Sequence, residues 1–417
     1  MSSPDAKSVE EGYLRVADDG RLQVPASLAR TMGLTPGSRA KVRQSGDRLI
    51  VQRPAAQLAR LYVEPTTACN LRCRTCIRHV WNEPVGRMDA STFQAVLQGI
   101  TELPERPTVF FGGLGEPLGH PDFLDMVRAV KALDAPVEAI TNGALLDTAK
   151  AEALIDLGLD ALWVSMDGAS PECYADVRTQ GDFGRVMQNL ETLRDLKIQK
   201  RARRPVLGIV FVAMRRNLHE LTEVLKLEYR VGARQFLVTN VLPHTAELLA
   251  ETLYSRSIGR TFSGRTTIRA ARRDGEAGTA PVLEALLKGR HGVLEGLETL
   301  WPTDACPFVL RGSTCVRWDG CVSPCLPLLH GHTSYLGRRL RTQHAYTVGS
   351  LREHRLAELW ASPDYAALRR RLEEFDFSPC TSCNSCELAD DNQEDCFGNT
   401  APTCGGCLWA QGFIRCP

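Results

Sequence analysis

The chain has 417 residues, enough for two to four domains with a sizeable core. Its 50 basic residues nearly balance its 49 acidic ones, which excludes a general preference for polyanions. It contains no apolar run of about eighteen residues and no apolar signal-peptide core, so we expect a cytoplasmic protein without membrane contacts. Fifteen cysteines in that compartment favour metal or redox chemistry over disulfides.

The first region consists of short strands around one helix. Its predicted elements are a hairpin of Leu14–Val16 and Leu22–Val24, a helix over Ala26–Met32, and strands over Arg39–Arg43 and Arg48–Val51. So few residues bury little apolar surface alone, and we therefore expect this region to pair with a second copy as a homodimer.

The string DDGRLQVPASLARTMGLTPGSRAKV in this region resembles the AbrB/SpoVT family of swapped-hairpin, dimeric DNA-binding domains. We therefore expect such a β domain at residues 12–55. Residues 14–53 hold eight Lys or Arg against three Asp, an excess that suits contact with DNA phosphates. A module that only dimerises or docks a substrate is the alternative, because a fold does not fix a function. Both interpretations stay open.

Strands and helices alternate across residues 58–245. The predicted strands are Leu61–Glu64, Thr108–Phe111, Val137–Thr141, Ala161–Met166, Val206–Val212 and Gln235–Asn240. The predicted helices are Ser91–Thr101, Asp122–Leu133, Asp147–Leu157, Phe183–Leu196 and Leu218–Tyr229. This α/β alternation predicts a parallel sheet covered by helices, with functional residues after the strands' C-terminal ends.

Three cysteines follow the first of these strands. Cys69, Cys73 and Cys76 have C-x3-C-x2-C spacing, which can supply three corners of one iron–sulfur cube and leaves the fourth iron open. A zinc knuckle or a disulfide cluster is the alternative, although zinc sites usually combine two C-x2-C pairs.

The spacing resembles that of the radical S-adenosylmethionine (radical SAM) superfamily. Further matches follow the next three strands: FGGLGEP, like the GGEP motif with one residue inserted, then TNG, then SMDG. The resemblance implies a partial (β/α)6 TIM-type barrel and a [4Fe-4S] cluster that cleaves SAM to a 5′-deoxyadenosyl radical. It also implies SAM contacts at Gly112, Gly113, Gly115, Glu116, Asn142, Ser165 and Asp167.

The cluster loop departs from the family pattern in one place. Thr75 stands where the family usually has an aromatic residue against adenine, so the adenine contact is unassigned. Farther along, His79 and Glu83 are candidates for acid/base or substrate contacts, with loop capping as the alternative. Cys173 is expected to be a buried thiol.

We expect a helical linker at residues 246–305 and a cysteine-rich domain at 306–417. The latter resembles the SPASM domain, which implies one or two auxiliary [4Fe-4S] clusters. The candidate ligands are Cys306, Cys325, Cys380, Cys383, Cys386, Cys396, Cys404, Cys407 and Cys416. Their partition is open because the SPASM spacing C-x2-C-x5-C-x3-C is not followed, and zinc is an alternative for one pair of C-x2-C units.

The strings CRTCIRHVWNEP, FGGLGEPL, LWVSMDG and PTCGGCLWAQGFIRCP resemble a narrower family, the maturases of tungsten-containing aldehyde:ferredoxin oxidoreductases. The resemblance implies a partner oxidoreductase, or its pterin cofactor, as the substrate, and a ferredoxin or flavodoxin as the electron donor. Two other functions stay open. One is a maturase of a ribosomally made peptide, and the other is a DNA-binding regulator that senses redox state or SAM.

Overall fold

The computed structural model describes residues 14–31, 34, 42–45, 48–51, 57–81, 83–254, 269–270, 304–383 and 386–417. Most of the linker predicted at 246–305 lies outside these ranges, as do the turn at 46–47 and the first residues of the strand predicted from Arg39. Within the described parts, no helix has the length and apolar character needed to cross a membrane.

The N-terminal region contains the predicted hairpins. Strands β1 (Arg15–Val16) and β2 (Leu22–Gln23) pair antiparallel, as do β3 (Val42–Ser45) and β4 (Arg48–Val51), with helix α1 (Ala26–Thr31) between the two hairpins. Four of their apolar side chains are exposed, namely Val16, Leu22, Val42 and Leu49. Pairing with a second copy stays a prediction, as does the swapped arrangement.

Six parallel strands form the centre of the molecule. They are β5 (Arg60–Val63), β6 (Thr108–Phe111), β7 (Val137–Thr141), β8 (Ala161–Ser165), β9 (Val206–Ala213) and β10 (Gln235–Asn240). Each pairs with the next in chain order, which confirms the parallel sheet and all six predicted strands. Their side chains are mostly buried on both faces, as expected when helices cover the sheet.

The central helices are α2 (Ala90–Glu102), α3 (Phe123–Lys131), α4 (Thr148–Asp156), α5 (Pro171–Val177), α6 (Phe183–Gln199), α7 (Leu221–Leu225), α8 (Leu227–Val231) and α9 (Ala246–Ala250). Aspartates start several of them; Asp89, for example, accepts a hydrogen bond from the Thr92 amide at 2.7 Å.

The single helix predicted over Leu218–Tyr229 is wrong. A 3-10 turn at Leu218–Glu220 precedes α7, and α7 and α8 meet at Lys226. Leu225 and Leu227 are both buried, although residues two apart point to different faces of an unbroken helix. The break at Lys226 lets both side chains reach the core.

The C-terminal domain continues the same sheet. After α10 (Pro307–Leu310), strand β12 (Ser313–Val316) pairs parallel with β5, and β13 (Cys321–Ser323) and β16 (Gly349–Ser350) follow antiparallel. With β11 (Arg269–Ala270) beside β10, the sheet has ten strands in the described ranges. The sequence predicted a barrel and a separate cysteine-rich domain, so a sheet shared by the two was not expected.

The remaining C-terminal elements are the hairpin β14 (His332–Leu336) and β15 (Arg339–Gln343), and the helices α11 (Leu356–Ala361), α12 (Pro363–Glu374) and α13 (Cys380–Cys383). The last residues of the chain bridge the outer strands of the parallel core. On β10, the side-chain amide of Asn240 donates to the Phe413 carbonyl at 2.7 Å. On β5, the Tyr62 hydroxyl donates to the Pro417 carbonyl at 2.9 Å. This segment therefore connects the two sides of the partial barrel.

Candidate metal centre

The loop after β5 carries Cys69, Cys73 and Cys76 and is fixed where it returns to the sheet. Thr67 and Gly86 exchange two hydrogen bonds, from the Thr67 amide at 3.0 Å and from the Gly86 amide to the Thr67 hydroxyl at 2.7 Å. A Cβ on Gly86 would lie 1.9 Å from the Trp318 ring, so only glycine permits this contact with the C-terminal domain. The cluster loop is thus held from both domains.

Each of the three sulfur atoms faces a different N–H donor. Asn142 Nδ2 lies 3.7 Å from Cys69 Sγ, and Arg178 Nη1 lies 3.7 Å from Cys73 Sγ. Arg78 Nε lies 3.3 Å from Cys76 Sγ. Donors and cations beside sulfur favour thiolates, which iron–sulfur clusters require, and hydrogen bonds to cluster sulfurs tune the reduction potential. The donor set therefore fits a three-cysteine cluster.

Burial opposes this effect at two of the thiols. Burial raises the pKa of Cys73, and the charge of Arg178 opposes that rise. Burial also raises the pKa of Cys69, and the hydrogen bond from the Leu71 amide opposes that rise. Without a metal, these thiols therefore hold their protons more tightly than exposed ones, and metal binding would release those protons.

Arg178 was not singled out from the sequence, yet it connects a predicted motif to the cluster loop. The fully buried Asp167 of the SMDG motif pairs with Arg178 at 2.7 Å and also accepts the Val212 amide at 2.8 Å. Both carboxylate oxygens of Asp167 are thus engaged inside the protein. Its link to the cluster loop passes through Arg178, and a direct contact with SAM stays a prediction.

The loop of Gly112–Glu116 packs directly on the cluster loop. The Glu116 amide donates to the Ala68 carbonyl at 2.8 Å, and a Cβ on Gly115 would lie 2.1 Å from the Thr66 carbonyl oxygen. The Glu116 carboxylate accepts the Thr141 hydroxyl and the Asn142 amide, each at 2.7 Å. Burial raises the pKa of Glu116, and these hydrogen bonds oppose the rise. Glu116 therefore ties the second motif to the third.

Two predicted SAM contacts and the unusual Thr75 lie in different surroundings. Ser165 is half-buried at the end of β8, and Thr75 is half-buried within the cluster loop. Gly113 has a φ of +149°, and its α-carbon faces Glu64, whose Cγ would lie 2.6 Å from an added Cβ. The contacts of Ser165 and Gly113 with SAM stay predictions, and the adenine contact stays unassigned.

Three histidines lie near one another beside the cluster loop. His79 Nε2 lies 3.0 Å from the Cys73 carbonyl, and His332 Nδ1 lies 3.0 Å from the His330 carbonyl. His244 Nδ1 lies 3.2 Å from the Leu242 carbonyl, while its buried Nε2 has no hydrogen-bond partner within the described part of the chain. A carbonyl only accepts, so each facing nitrogen carries the hydrogen and the opposite nitrogen is an acceptor.

Electrostatics keep His244 neutral. Burial is the main reason that the pKa of His244 falls to about 4; His79 and His332 act in the same direction, and the hydrogen bond to the Leu242 carbonyl opposes them. The Nε2 atom of this neutral ring is therefore a buried acceptor that no described group satisfies. Of the two loop residues predicted as acid/base or substrate contacts, His79 is exposed and belongs to this group, whereas Glu83 binds the C-terminal domain.

Four of the C-terminal cysteines line one cavity, namely Cys306, Cys325, Cys404 and Cys407. Burial raises the pKa of Cys325, and the adjacent thiols of Cys306, Cys407 and Cys404 raise it further. Burial likewise raises the pKa of Cys306 to about 12. Four thiolates in such a cavity need a cationic metal centre to offset their mutual repulsion, so the donor set fits a fully ligated auxiliary cluster.

The other C-terminal cysteines lie in different surroundings. Cys380 is half-buried and Cys383, Cys386 and Cys396 are exposed, so a second cluster on this segment stays a prediction. Cys416 accepts a hydrogen bond from Trp409 Nε1 at 3.2 Å. Cys315 and Cys321, outside the predicted ligand set, are respectively buried and half-buried.

No three cysteine sulfur atoms of the described residues lie within 4.8 Å of one another, and zinc stays an alternative for one pair of C-x2-C units. Zinc–sulfur bonds of about 2.3 Å put thiolates roughly 3.8 Å apart. Among the described residues, the one trio of candidate ligand atoms within 4.8 Å is Cys173, His219 and Glu220. Both Glu220 oxygens already accept hydrogen bonds from Ala169 and Ser170. Cys173 is half-buried, not fully buried as expected, and burial raises its pKa to about 11, so it is a protonated thiol.

Comparison with family models defines the class. Residues 63–227 match the radical SAM superfamily, and residues 306–387 match the SPASM iron–sulfur cluster-binding domain. The chain belongs to the radical SAM superfamily and carries a SPASM domain, which confirms the predicted enzyme class. Membership implies a [4Fe-4S] cluster with SAM together with auxiliary clusters.

Within that class, the chain is 31% identical over 368 residues to the tungsten-containing aldehyde ferredoxin oxidoreductase cofactor-modifying protein of Pyrococcus furiosus. That match covers 86% of this chain and 96% of the relative, so the chain belongs to the same family. The AdoMet-dependent heme synthase of Oleidesulfovibrio alaskensis is 24% identical over 364 residues, covering 84% of this chain and 82% of that protein.

The fold matches those of two solved structures. Streptococcus suis SuiB bound to S-adenosylmethionine aligns with a TM-score of 0.56 at 15% identity, over 82% of this chain and 72% of that one. SuiB bound to its precursor peptide SuiA gives the same TM-score at 14% identity, over 80% and 71% of the two chains. At such identity the likeness concerns the fold, and it confirms the predicted barrel architecture.

Proposed function

We propose that this protein is a radical SAM maturase that modifies a tungsten-containing oxidoreductase or its pterin cofactor. One observation carries the proposal: the 31% identity to the Pyrococcus furiosus cofactor-modifying protein extends over 96% of that relative. The likeness therefore includes both the barrel and the cysteine-rich domain, where substrate contacts and auxiliary clusters are expected.

In this proposal, Cys69, Cys73 and Cys76 hold the catalytic cluster, and the loop of Gly112–Glu116 holds the methionine end of SAM. When bound, the cluster and SAM supply a 5′-deoxyadenosyl radical that removes one hydrogen atom from the substrate. The other expected SAM contacts are Asn142, Ser165 and Asp167. The auxiliary ligands are Cys306, Cys325, Cys404 and Cys407, with Cys380, Cys383, Cys386, Cys396 and Cys416 as candidates for a second cluster.

The remaining residues of the site prepare it for this chemistry. Arg78, Arg178 and Asn142 stabilise the sulfur atoms as anions by donating hydrogen bonds at 3.3–3.7 Å. The unpartnered Nε2 of His244 accepts a hydrogen bond from the substrate beside the cluster loop. Such a fixed acceptor orients the substrate before the hydrogen atom is removed.

The test begins with anaerobic reconstitution with iron and sulfide. Dithionite and SAM are then added with and without the tungsten oxidoreductase, and 5′-deoxyadenosine is measured. We expect product in both cases and more of it with the oxidoreductase. A fully loaded protein that forms no 5′-deoxyadenosine would contradict the enzyme function. Product that is indifferent to the oxidoreductase but increases with a precursor peptide would instead identify a peptide maturase.

The physiological electron donor and the N-terminal region have their own tests. We propose a ferredoxin or flavodoxin as the donor, which must replace dithionite in the same assay. For residues 12–55 we propose dimer formation together with either DNA binding or substrate docking. Salt-sensitive, sequence-specific DNA affinity would favour DNA binding. If that affinity came without any SAM turnover, the protein would be a regulator and not a maturase.

A further inference from the structure

A chain of three charged groups, two of them buried, joins the C-terminal domain to the barrel. His330 Nε2 lies 2.8 Å from a Glu64 carboxylate oxygen, and His330 Nδ1 lies 2.5 Å from a Glu83 carboxylate oxygen. The side chains of His330 and Glu64 are 1% and 0% exposed, respectively. Each ring nitrogen of His330 thus faces a carboxylate, an arrangement that suits the doubly protonated imidazolium.

The three residues come from three parts of the fold. Glu64 directly follows β5, Glu83 lies on the return of the cluster loop, and His330 precedes β14 in the C-terminal domain. Glu83 also accepts the Gly331 amide at 2.9 Å. The network therefore fastens the segment around His330 to the cluster loop and to the end of the first barrel strand.

Glu64 extends this network to the SAM loop. Its second carboxylate oxygen accepts the Leu114 amide at 3.0 Å, within the segment of Gly112–Glu116. The neighbouring Gly113 has a φ of +149°, and a Cβ there would lie 2.6 Å from both Cγ and Oε1 of Glu64. The backbone of the loop thus rests on the Glu64 side chain, and a shift of that carboxylate must shift the loop.

The charge on His330 holds Glu64 in place. Burial alone lowers the pKa of His330, but Glu64 and Glu83 outweigh it and raise the pKa above its ordinary value. Arg317 lies 3.6 Å from Glu83 but is already paired with Asp319 at 2.5 Å. His330 is therefore the cation shared by the two carboxylates. Without it, two neighbouring acids would lose their common partner, and Glu64 would lose its buried hydrogen-bond donor.

We propose that His330 is a positioning residue through which the C-terminal domain sets the conformation of the SAM-binding loop, by way of Glu64. The inference rests on the proposed role of Gly112–Glu116 in binding SAM. It implies that SAM affinity depends on a side chain that does not touch SAM. The SPASM domain would then contribute to the SAM site itself as well as housing auxiliary clusters.

The test compares His330→Gln with the double variant His330→Gln/Glu83→Gln in the reconstituted holoenzyme. The readouts are the SAM dissociation constant by calorimetric titration, the iron content and the thermal unfolding midpoint. We expect His330→Gln to raise the dissociation constant at least tenfold with unchanged iron. Because the double variant removes one of the two uncompensated carboxylates, it should recover most of that loss. The matched control is His344→Gln, since the half-exposed His344 lies 3.6 Å from a single carboxylate of the described residues, that of Asp391.

Each outcome decides the question. Unchanged SAM affinity in His330→Gln, or an equal loss in the single and double variants, overturns the proposal. Loss of iron from His330→Gln also overturns it, because His330 would then support the fold rather than the loop. If His330→Gln does not fold, Glu64→Gln tests the same link from the barrel side, and unchanged SAM affinity there counts against it. Failure of the wild-type holoenzyme to bind SAM would instead refute the proposed function.

Discussion

The two cysteine sites differ in what surrounds their sulfur atoms. On the cluster loop, Cys69, Cys73 and Cys76 each face a side-chain N–H donor. In the C-terminal cavity, the pKa of the buried Cys325 is raised by burial and by four other thiols, those of Cys306, Cys407, Cys404 and Cys315. Three cysteine ligands leave one iron of a [4Fe-4S] cluster open, and hydrogen bonds to their sulfur atoms tune its reduction potential. Four cysteine ligands occupy every iron of such a cluster. The difference supports the proposal that the first site binds SAM and that the second holds a fully ligated cluster.

The largest expected effect comes from Cys73→Ala. This change leaves two of the three proposed cluster ligands and removes the sulfur atom that Arg178 contacts. We expect 5′-deoxyadenosine formation to disappear completely, and the iron content to fall by about four atoms per chain, one cube. The measurements are product formation by chromatography and iron per chain after reconstitution.

The control for this prediction is Cys173→Ala, which removes a thiol outside both cysteine sites and should leave iron and product unchanged. Substantial product from Cys73→Ala would mean that another side chain completes the cluster. The three-cysteine site would then have been wrongly assigned.

The next effect is expected from Cys325→Ala in the C-terminal cavity. Removal of one ligand from a closed set should release the auxiliary cluster, again about four iron atoms. The cluster loop is untouched, so SAM cleavage without substrate should continue while modification of the substrate fails. The two activities are measured side by side with iron content.

The matched control is Cys321→Ala, a half-buried cysteine four residues earlier in the same domain, which should behave like wild type. If Cys325→Ala kept all its iron, or if Cys321→Ala lost as much, the four-cysteine cavity would not be the auxiliary centre.

A smaller effect, confined to the open site, is expected from Gly115→Ala. The added Cβ would lie 2.1 Å from the Thr66 carbonyl and 2.7 Å from the Ala68 carbonyl, so the SAM loop must move away from the cluster loop. We expect at least a hundredfold weaker SAM binding, about 2.7 kcal/mol, measured by calorimetric titration. Gly119→Ala is the control, because its nearest neighbour would be a leucine methyl at 3.6 Å. Equal SAM affinity in both variants would show that the loop is not part of the SAM site.

The sequence was sufficient for features that are local along the chain. The spacing of Cys69, Cys73 and Cys76 and the apolar strand patterns act over a few residues, so the cluster loop and all six parallel strands were predictable. Polar motifs after successive parallel strands meet at one edge of the sheet, which is why the Gly112–Glu116 loop and Asn142 were expected together.

Contacts between distant residues were not predictable in this way. Glu64 and His330 are 266 positions apart, and neither carries a pattern that marks its partner. Arg178 looks like any helix-terminal arginine until the fold places it between Asp167 and Cys73. Likewise, the grouping of Cys306 with Cys404 depends on the packing of the C-terminal domain, which no spacing rule revealed.

The smallest expected effect is the pH dependence of stability that His244, the proposed substrate contact, contributes. His244 has a pKa of about 4 in the folded protein against an ordinary 6.5, so the unfolded chain binds its proton first as the pH falls. Its contribution is therefore complete above pH 6.5 and is lost as the pH drops towards 4. Between pH 7 and 5.5 we expect a loss of about 1 kcal/mol in unfolding free energy, measured by urea denaturation of the holoenzyme.

His244→Phe should remove this part of the pH dependence, whereas the half-exposed control His344→Gln should keep it. His330 acts in the opposite direction and in another range: its raised pKa means that its contribution is complete below pH 6.5 and is lost at higher pH. If His244→Phe lost as much unfolding free energy between pH 7 and 5.5 as the wild type does, the His244 ring would not be held neutral. The bare Nε2 acceptor proposed for the substrate would then be absent, and the catalytic side of the comparison would retain only its three thiols and their donors.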